Sequence, residues 1–410
     1  MIRQETEHKK EKLSEMRSEG MRALAYPVKG DDGRDWTVIY LIGQGRISQV
    51  LTEQNDAPGV GDIYLGRVVQ ISKAISASFV ETEGGRFFLP GIHKMGAMLP
   101  VMVETLAYRE KLAKATTKLS VNGMYMVVRT DVPGICCSQK LTAEQKDRLQ
   151  RMCEKTEIRE LLKDGAAGIL FRTKAGEADE EELTPEVKRL THLLGEIRQK
   201  ADSEANCTRL YAAESVIAES IRKVTESGGV WITESQELYE KALAEAEKIA
   251  ADPAVIRLYR DERISMAALY GLRGKVKQIC SERIWLDCGA EIVITEAEAM
   301  CVIDVNSAKV RPGKGREETF LQLNLEAARE IVSQIVARNI SGTILIDFIS
   351  MESTESETIL LSEMRSLSKG TYPPIKAVDI TKLGIMETTR QRLKGSIRER
   401  KDLLDKTILL

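Results

Sequence analysis

Two aspartates and an asparagine stand in runs that are otherwise apolar. Asp304 and Asn306 interrupt "MCVIDVN" (300–306), and Asp347 interrupts "TILIDFI" (343–349). Side chains alternate along a strand, so Asp304 and Asn306 share a face opposite Ile303 and Val305, while Asp347 shares its face with Leu345 and Ile349. Carboxylates brought together repel, and burying them costs more still. A shared proton or a divalent cation resolves the conflict. A hard cation such as Mg²⁺ takes oxygen ligands, and one or two carboxylates plus a substrate phosphate often hold it. The loop after the first strand carries Lys309, Arg311, Lys314 and Arg316 among glycines. Such a loop is a poor core and a good grip on phosphate. Two acids, an amide to orient an oxygen and nearby cations fit metal-assisted phosphoester chemistry. A solitary Asp at a strand end is more commonly a turn residue or a helix cap, and pattern alone leaves that alternative open.

The intervening segment must position these groups. In "EETFLQLNLEAAREIVSQIVARN" (317–339), Phe320, Leu323, Ala327, Ile331 and Ile335 fall near helical spacing. Asn339 and Gly342 suit its end. Strand, long helix, strand implies a right-handed crossover with the strands parallel, adjacent or nearly so. Both aspartates then lie at strand C-terminal ends, where open α/β sheets place their ligand crevices.

Upstream, 36–54 reads as two strands turning at "GQG". Residues 61–90 and 99–121 hold short strands separated by glycine turns, the pattern of a small barrel. Alternation puts Phe79 with Ala77 and Glu81, and Phe88 with Arg86, on mixed faces. Barrels of the OB type stack bases on aromatics beside cations, which Lys111 and Lys114 could supply. The alternative is that both rings are barrel core. Helical periodicity marks 141–165. Further helices are expected from Thr184 as N-cap with Pro185 at the first helical position, and from Ser235 as N-cap. Strands return from about Lys275.

Composition narrows the class. The 410 residues are 43% hydrophobic and 30% charged, which fits a multidomain globular chain. No run of eighteen apolar residues is present, and the first residues lack the apolar core of a secretory signal. Residues 1–35 are left unassigned. The seven cysteines form no Cys-x-x-Cys pair, which points to a reducing, cytoplasmic setting. The three histidines are scattered. With a net charge of −2, any nucleic-acid binding rests on local basic patches rather than a global field.

Four ordered motifs, "IDVNSAKV", "EETFLQLNLEAAREI", "SGTILIDFISM" and "KLGIMETTRQRL", resemble the ribonuclease E / ribonuclease G family, and the likeness extends from about Trp36 onward. The resemblance implies an α/β multidomain fold. In it an RNase H-like domain (36–58 with 206–278) is interrupted by an OB-fold, S1-type RNA-binding barrel (59–120) and a 5′-monophosphate sensor region (121–205). A DNase I-like catalytic domain (279–410) follows. It implies an endoribonuclease of single-stranded RNA, acting in ribosomal RNA processing or messenger RNA decay and leaving a 5′-phosphate and a 3′-hydroxyl. Mg²⁺, or Mn²⁺ in its place, would be held by Asp304 and Asp347 with Asn306 close by. By the same resemblance Phe79, Phe88 and Lys111 contact RNA, and Arg172 and Thr173 sense the 5′-monophosphate.

The departures carry expectations of their own. The family's Cys-Pro-x-Cys link does not follow "RQRL", so no structural zinc is expected and a homodimer would not be zinc-bridged. After Asp347 the text is "ISMESTESETILL", acidic where the family is basic. "GICCSQKL" lacks an arginine after its serine, and "YREKLAKATT" lacks the glycines usual around Lys111. Fewer cations imply weaker RNA binding with a flatter salt dependence. The alternative reading is a catalytically silent RNA-binding paralogue with a regulatory role.

Overall fold

The computed structural model describes residues 20–108, 110–131, 134–154, 168–307 and 315–409. Lys309, Arg311 and Lys314 lie outside the described residues, as do 1–19. The chain divides into two units, residues 57–214 and the remainder.

The larger unit opens with strands β1 (Arg22–Lys29), β2 (Asp35–Gly43) and β3 (Arg46–Gln54). Gln44 and Gly45, both at positive φ, make the expected turn between β2 and β3. β1 falls in the stretch that the sequence left unassigned. Its Pro27 argues against a strand, but that proline lies beyond Arg22–Ala25, the residues of β1 paired on both sides.

The smaller unit contains β4 (Ile63–Ser72), β5 (Ala77–Thr82), β6 (Gly85–Pro90), β7 (Met98–Thr105) and β8 (Lys114–Thr116). They pair in the order β4-β5-β6-β8-β7 and back to β4, a closed five-stranded barrel consistent with an OB-like fold. Gly66 lets β4 serve both neighbours, because a Cβ there would strike Val80 and Thr82. Val80, Phe87, Leu89, Val101 and Val103 fill the interior. A four-stranded sheet follows, from β9 (Ser120–Asn122), β10 (Met126–Arg129), β11 (Ile135–Cys137) and, after helix α1 (Ala143–Cys153), β12 (Gly168–Phe171). Helix α2 (Glu180–Ser203) packs on it, and β13 (Arg209–Tyr211) returns to β4. α2 starts a turn before the expected Thr184 cap. Asp179 and Glu182 form a reciprocal capping box, and three glutamates in the first turn suit the helix dipole. Pro185 therefore sits inside the helix.

The larger unit resumes with α3 (Val216–Glu226), β14 (Val230–Thr233), α4 (Gln236–Lys248), capped by Ser235 as expected, and β15 (Ile256–Leu258). The first sheet is thereby completed as β15-β14-β1-β2-β3, antiparallel through β1, β2 and β3, with β14 and β15 parallel to β1. α3 and α4 cover one face, and short helices α5 (Met266–Leu269) and α6 (Leu272–Ile279) the other. The alternation in "KVKQI" reads as a strand, but Leu272, Val276 and Ile279 are buried on one side of α6. Helical spacing there satisfies the core better than alternation would.

The last sheet runs β16 (Arg283–Trp285), β17 (Glu291–Glu296), β18 (Met300–Asn306), then, after α7 (Arg316–Ala337), β19 (Gly342–Asp347). After α8 (Thr354–Leu367) come β20 (Ile375–Ile380) and β21 (Ile385–Arg390), and α9 (Lys401–Thr407) closes the described chain. The strand order is β16-β17-β18-β19-β21-β20, and β18–β19 is its parallel pair, as the crossover reading requires. α7 and α8 bury one face of this sheet through Ile303, Val305, Ile331, Ile344 and Ile346. The helix ends where expected: Asn339 adopts positive φ, and the Ile340 N–H closes on the Ile335 carbonyl at 3.0 Å.

Candidate active site and nucleic-acid interface

Asp304 and Asp347 are register partners in the last pair of the β18–β19 ladder. Their side chains therefore leave neighbouring strands, about 4.8 Å apart, on the same side. That side is the one away from α7 and α8. Cys301, Ile303 and Val305 point into the helix-covered core, whereas Asp304 is half-buried and Asn306 and Asp347 are exposed. The Asn306 Nδ2 donates to Asp304 Oδ2 at 2.6 Å, so the amide fixes the orientation of the first carboxylate. The three groups picked out by type and spacing are thus brought together by backbone pairing.

The helix between the strands does more than connect them. Asn324, fully buried on α7, donates through Nδ2 to the Ile349 carbonyl at 2.8 Å and accepts through Oδ1 from the Ile349 N–H at 3.0 Å. Two turns earlier, Glu317 accepts from the Glu352 and Ser353 N–H groups at 3.0 and 3.1 Å. Those backbone donors, with the Ser356 hydroxyl, hold its carboxyl below the usual glutamate range. The chain leaving Asp347 is therefore tied to α7 at two points. Neither residue was singled out from sequence. The available signal was an amide on the apolar stripe of "LQLNLEAA". Arg316, the described member of the basic loop, stacks over the Phe320 ring at 5.2 Å.

The second group of candidates lies in the smaller unit. Phe79 and Phe88 face each other across β5 and β6, with ring centroids 6.0 Å apart in an edge-on arrangement. Both are half-buried, while Phe87 and Leu89 fill the interior, so the alternative of two core rings does not hold. The Arg86 guanidinium lies 5.0 Å from the Phe79 ring. Lys114, in register with Phe88, is ion-paired to Glu104 at 2.8 Å. Lys111 is exposed in a tight turn whose backbone closes on Tyr108 in both directions. Beyond the barrel, the Arg172 Nη2 donates to Asn122 Oδ1 at 3.0 Å, and the Thr173 hydroxyl lies 3.1 Å from that of Ser138. Asn122 ends β9, Ser138 follows β11, and Arg172 and Thr173 follow β12, so both contacts lie at one end of the four-stranded sheet.

A sequence model of the Ribonuclease E/G family matches residues 120–393. The chain belongs to the Ribonuclease E/G family. Among curated relatives, it is 27% identical over 366 residues to "Ribonuclease E" of Haemophilus influenzae, covering 82% of this chain and 38% of that protein. It is 28% identical over 378 residues to a "Ribonuclease E/G-like protein" of Pyropia yezoensis, covering 86% and 72%. It is 23% identical over 397 residues to "Ribonuclease G" of H. influenzae, covering 88% and 78%. The chain thus spans well under half of the ribonuclease E that it matches.

Whether the residues present suit a metal ion can be judged from the donor set. Among the described residues no three His, Cys, Asp or Glu side chains group to form a complete cage. Asp304 and Asp347 instead offer two hard oxygen ligands on one side, with an amide alongside. This is the donor set of a cation that keeps most of its shell for water and phosphate, which suits Mg²⁺.

Proposed function

We propose that this chain is a Mg²⁺-dependent endoribonuclease of single-stranded RNA, active in RNA processing or decay, that leaves a 5′-phosphate and a 3′-hydroxyl. The observation that carries the reading is the register pairing of Asp304 with Asp347 beside Asn306, in a member of a ribonuclease family. Asp304 and Asp347 would hold the metal, which supplies Lewis-acid stabilisation to charge building on a phosphodiester. Asn306 orients Asp304 through its amide N–H and would position the attacking water or the scissile phosphate. Phe79, Phe88 and Lys111 would hold the strand by stacking and charge. Arg172 and Thr173 would engage a 5′-monophosphate through a guanidinium fork and a hydroxyl, favouring substrates so ended.

The domain reading follows. The order β3-β2-β1-β14-β15 supports an RNase H-like part to which β1 also belongs, 59–120 is the S1-type barrel, 121–205 the sensor, and 279–410 the DNase I-like part. A cytoplasmic setting fits this role. No helix among the described residues is long and apolar enough to cross a membrane.

The test is cleavage of a 5′-monophosphorylated, unstructured RNA oligonucleotide by the wild type and by Asp304→Asn, with Mg²⁺ or with EDTA. Cleavage by the wild type in Mg²⁺ alone, with binding but no cleavage by the variant, is expected. Undiminished cleavage by Asp304→Asn would remove the metal assignment. Binding without cleavage by the wild type would leave a regulatory RNA-binding protein.

A further inference from the structure

Two of the three tryptophans are core residues: Trp36 is 7% exposed and Trp231 is fully buried. Trp285 is 56% exposed. A single exposed aromatic needs no explanation by itself, but the position of this one is specific. Trp285 ends the edge strand β16 and pairs in register with Glu291 of β17, which pairs in register with Asn306 of β18. Residues in register leave a sheet on the same side. Trp285 therefore stands on the face that carries Asp304, Asn306 and Asp347. It lies two strand spacings from the asparagine, roughly 10 Å at about 4.8 Å each.

The ground between is suited to a polyanion. Glu291 is 7% exposed, and both of its carboxylate oxygens accept from Arg283 Nη1, at 2.8 and 2.9 Å. That ion pair neutralises the one carboxylate lying between the indole and Asn306. Arg283 stands two residues before the indole on the same face of β16, and its side chain is largely exposed. In the next register row Val293 stands between Arg283 and Asp304, which keeps the path short of further charge.

We infer that Trp285 is a stacking platform for a nucleobase adjoining the nucleotide whose phosphate lies at Asp304 and Asp347. This rests on the nuclease reading above. An exposed indole takes the face of any base, so the subsite grips the strand without reading its sequence. It is distinct from Phe79 and Phe88, which belong to the other unit, and it stands on a different strand from either aspartate.

The experiment uses the full chain carrying Asp304→Asn, which prevents cleavage, and a fluorescein-labelled single-stranded RNA oligonucleotide for anisotropy. In parallel, an unlabelled oligonucleotide is titrated against tryptophan emission, with acrylamide as quencher. Since the other two tryptophans are buried, the accessible emission belongs to Trp285. RNA should protect that emission from acrylamide. Trp285→Ala should weaken binding by roughly five- to 150-fold, the range for loss of one stacked base, and Trp285→Phe should restore most of it. In the cleavage-competent chain Trp285→Ala should raise KM and leave kcat nearly unchanged, as loss of uniform binding requires. Normal anisotropy binding with Trp285 still open to acrylamide, or equal affinity of Trp285→Ala, overturns the subsite and leaves the nuclease reading standing. Absence of RNA binding by the parent chain overturns both.

Discussion

Replacing Asn324 by alanine tests whether α7 holds the chain that leaves Asp347. The amide is fully buried and satisfies both backbone groups of Ile349. Its removal strands one N–H and one carbonyl, each costing about 1–3 kcal/mol when buried. Ile349 is only half-buried, so water recovers part of that cost. A loss of roughly 2–4 kcal/mol in local opening free energy is the reasonable sum. At 1.36 kcal/mol per decade this corresponds to amide exchange about 30- to 1,000-fold faster in the segment after β19. Hydrogen–deuterium exchange of peptides covering 348–353, measured beside a reference peptide from the barrel, reads the effect directly. A fall in kcat with an unchanged RNA dissociation constant should accompany it, because Asp347 loses its fixed position. Exchange within about threefold of the wild type would show that the Asn324 contacts do not hold this segment, and the positioning argument would fail with them.

Other outcomes follow from the same geometry. Glu317 is held below its ordinary pKa by backbone donors, so its tether is complete above the unfolded glutamate value and is lost as pH falls through the depressed folded one. An acid titration of exchange in 350–354 should show this loss, and Glu317→Gln should abolish its pH dependence. Arg172→Gln should erase any rate difference between 5′-monophosphate and 5′-triphosphate oligonucleotides, with cleavage of a circular RNA unaffected. Phe79→Ala and Phe88→Ala should each weaken binding of single-stranded RNA by about 1–3 kcal/mol, read by anisotropy, with no change in the melting of the larger unit. Burial pushes the Cys153 and Cys301 thiols up to about 12, so at pH 8 both should resist a thiol reagent in the native protein and react after denaturation.

The sequence revealed the site where a local rule was broken. Asp304, Asn306 and Asp347 stood out because carboxylates and an amide replaced apolar residues in runs that otherwise read as core strands, and the helical spacing between them supplied the crossover. Pairing register is not local information, so the facing of Asp304 with Asp347 became visible only with the sheet. Alternation put Phe79 and Phe88 on mixed faces and left a core position open for both, and only the closed barrel, with Phe87 and Leu89 inside, separates the two cases. β1 was hidden by its proline, α6 by an alternating stretch shorter than two helical turns, and the start of α2 by Pro185, a helix-start signal overruled by a capping box one turn earlier. Asn324 was hidden for another reason. One polar residue on an apolar stripe has no distinguishing pattern until its partner, Ile349, is known.

Glu317 and Asn324 grip the same departing chain from positions seven apart, close to two full turns of α7. Inserting or deleting one residue between them would rotate one grip by about 100° relative to the other. The number of residues in that stretch is therefore more tightly constrained than their identity. Substitutions there are tolerable wherever they face solvent, whereas a frame-preserving change in length would uncouple Asp347 from the helix without touching any residue of the site.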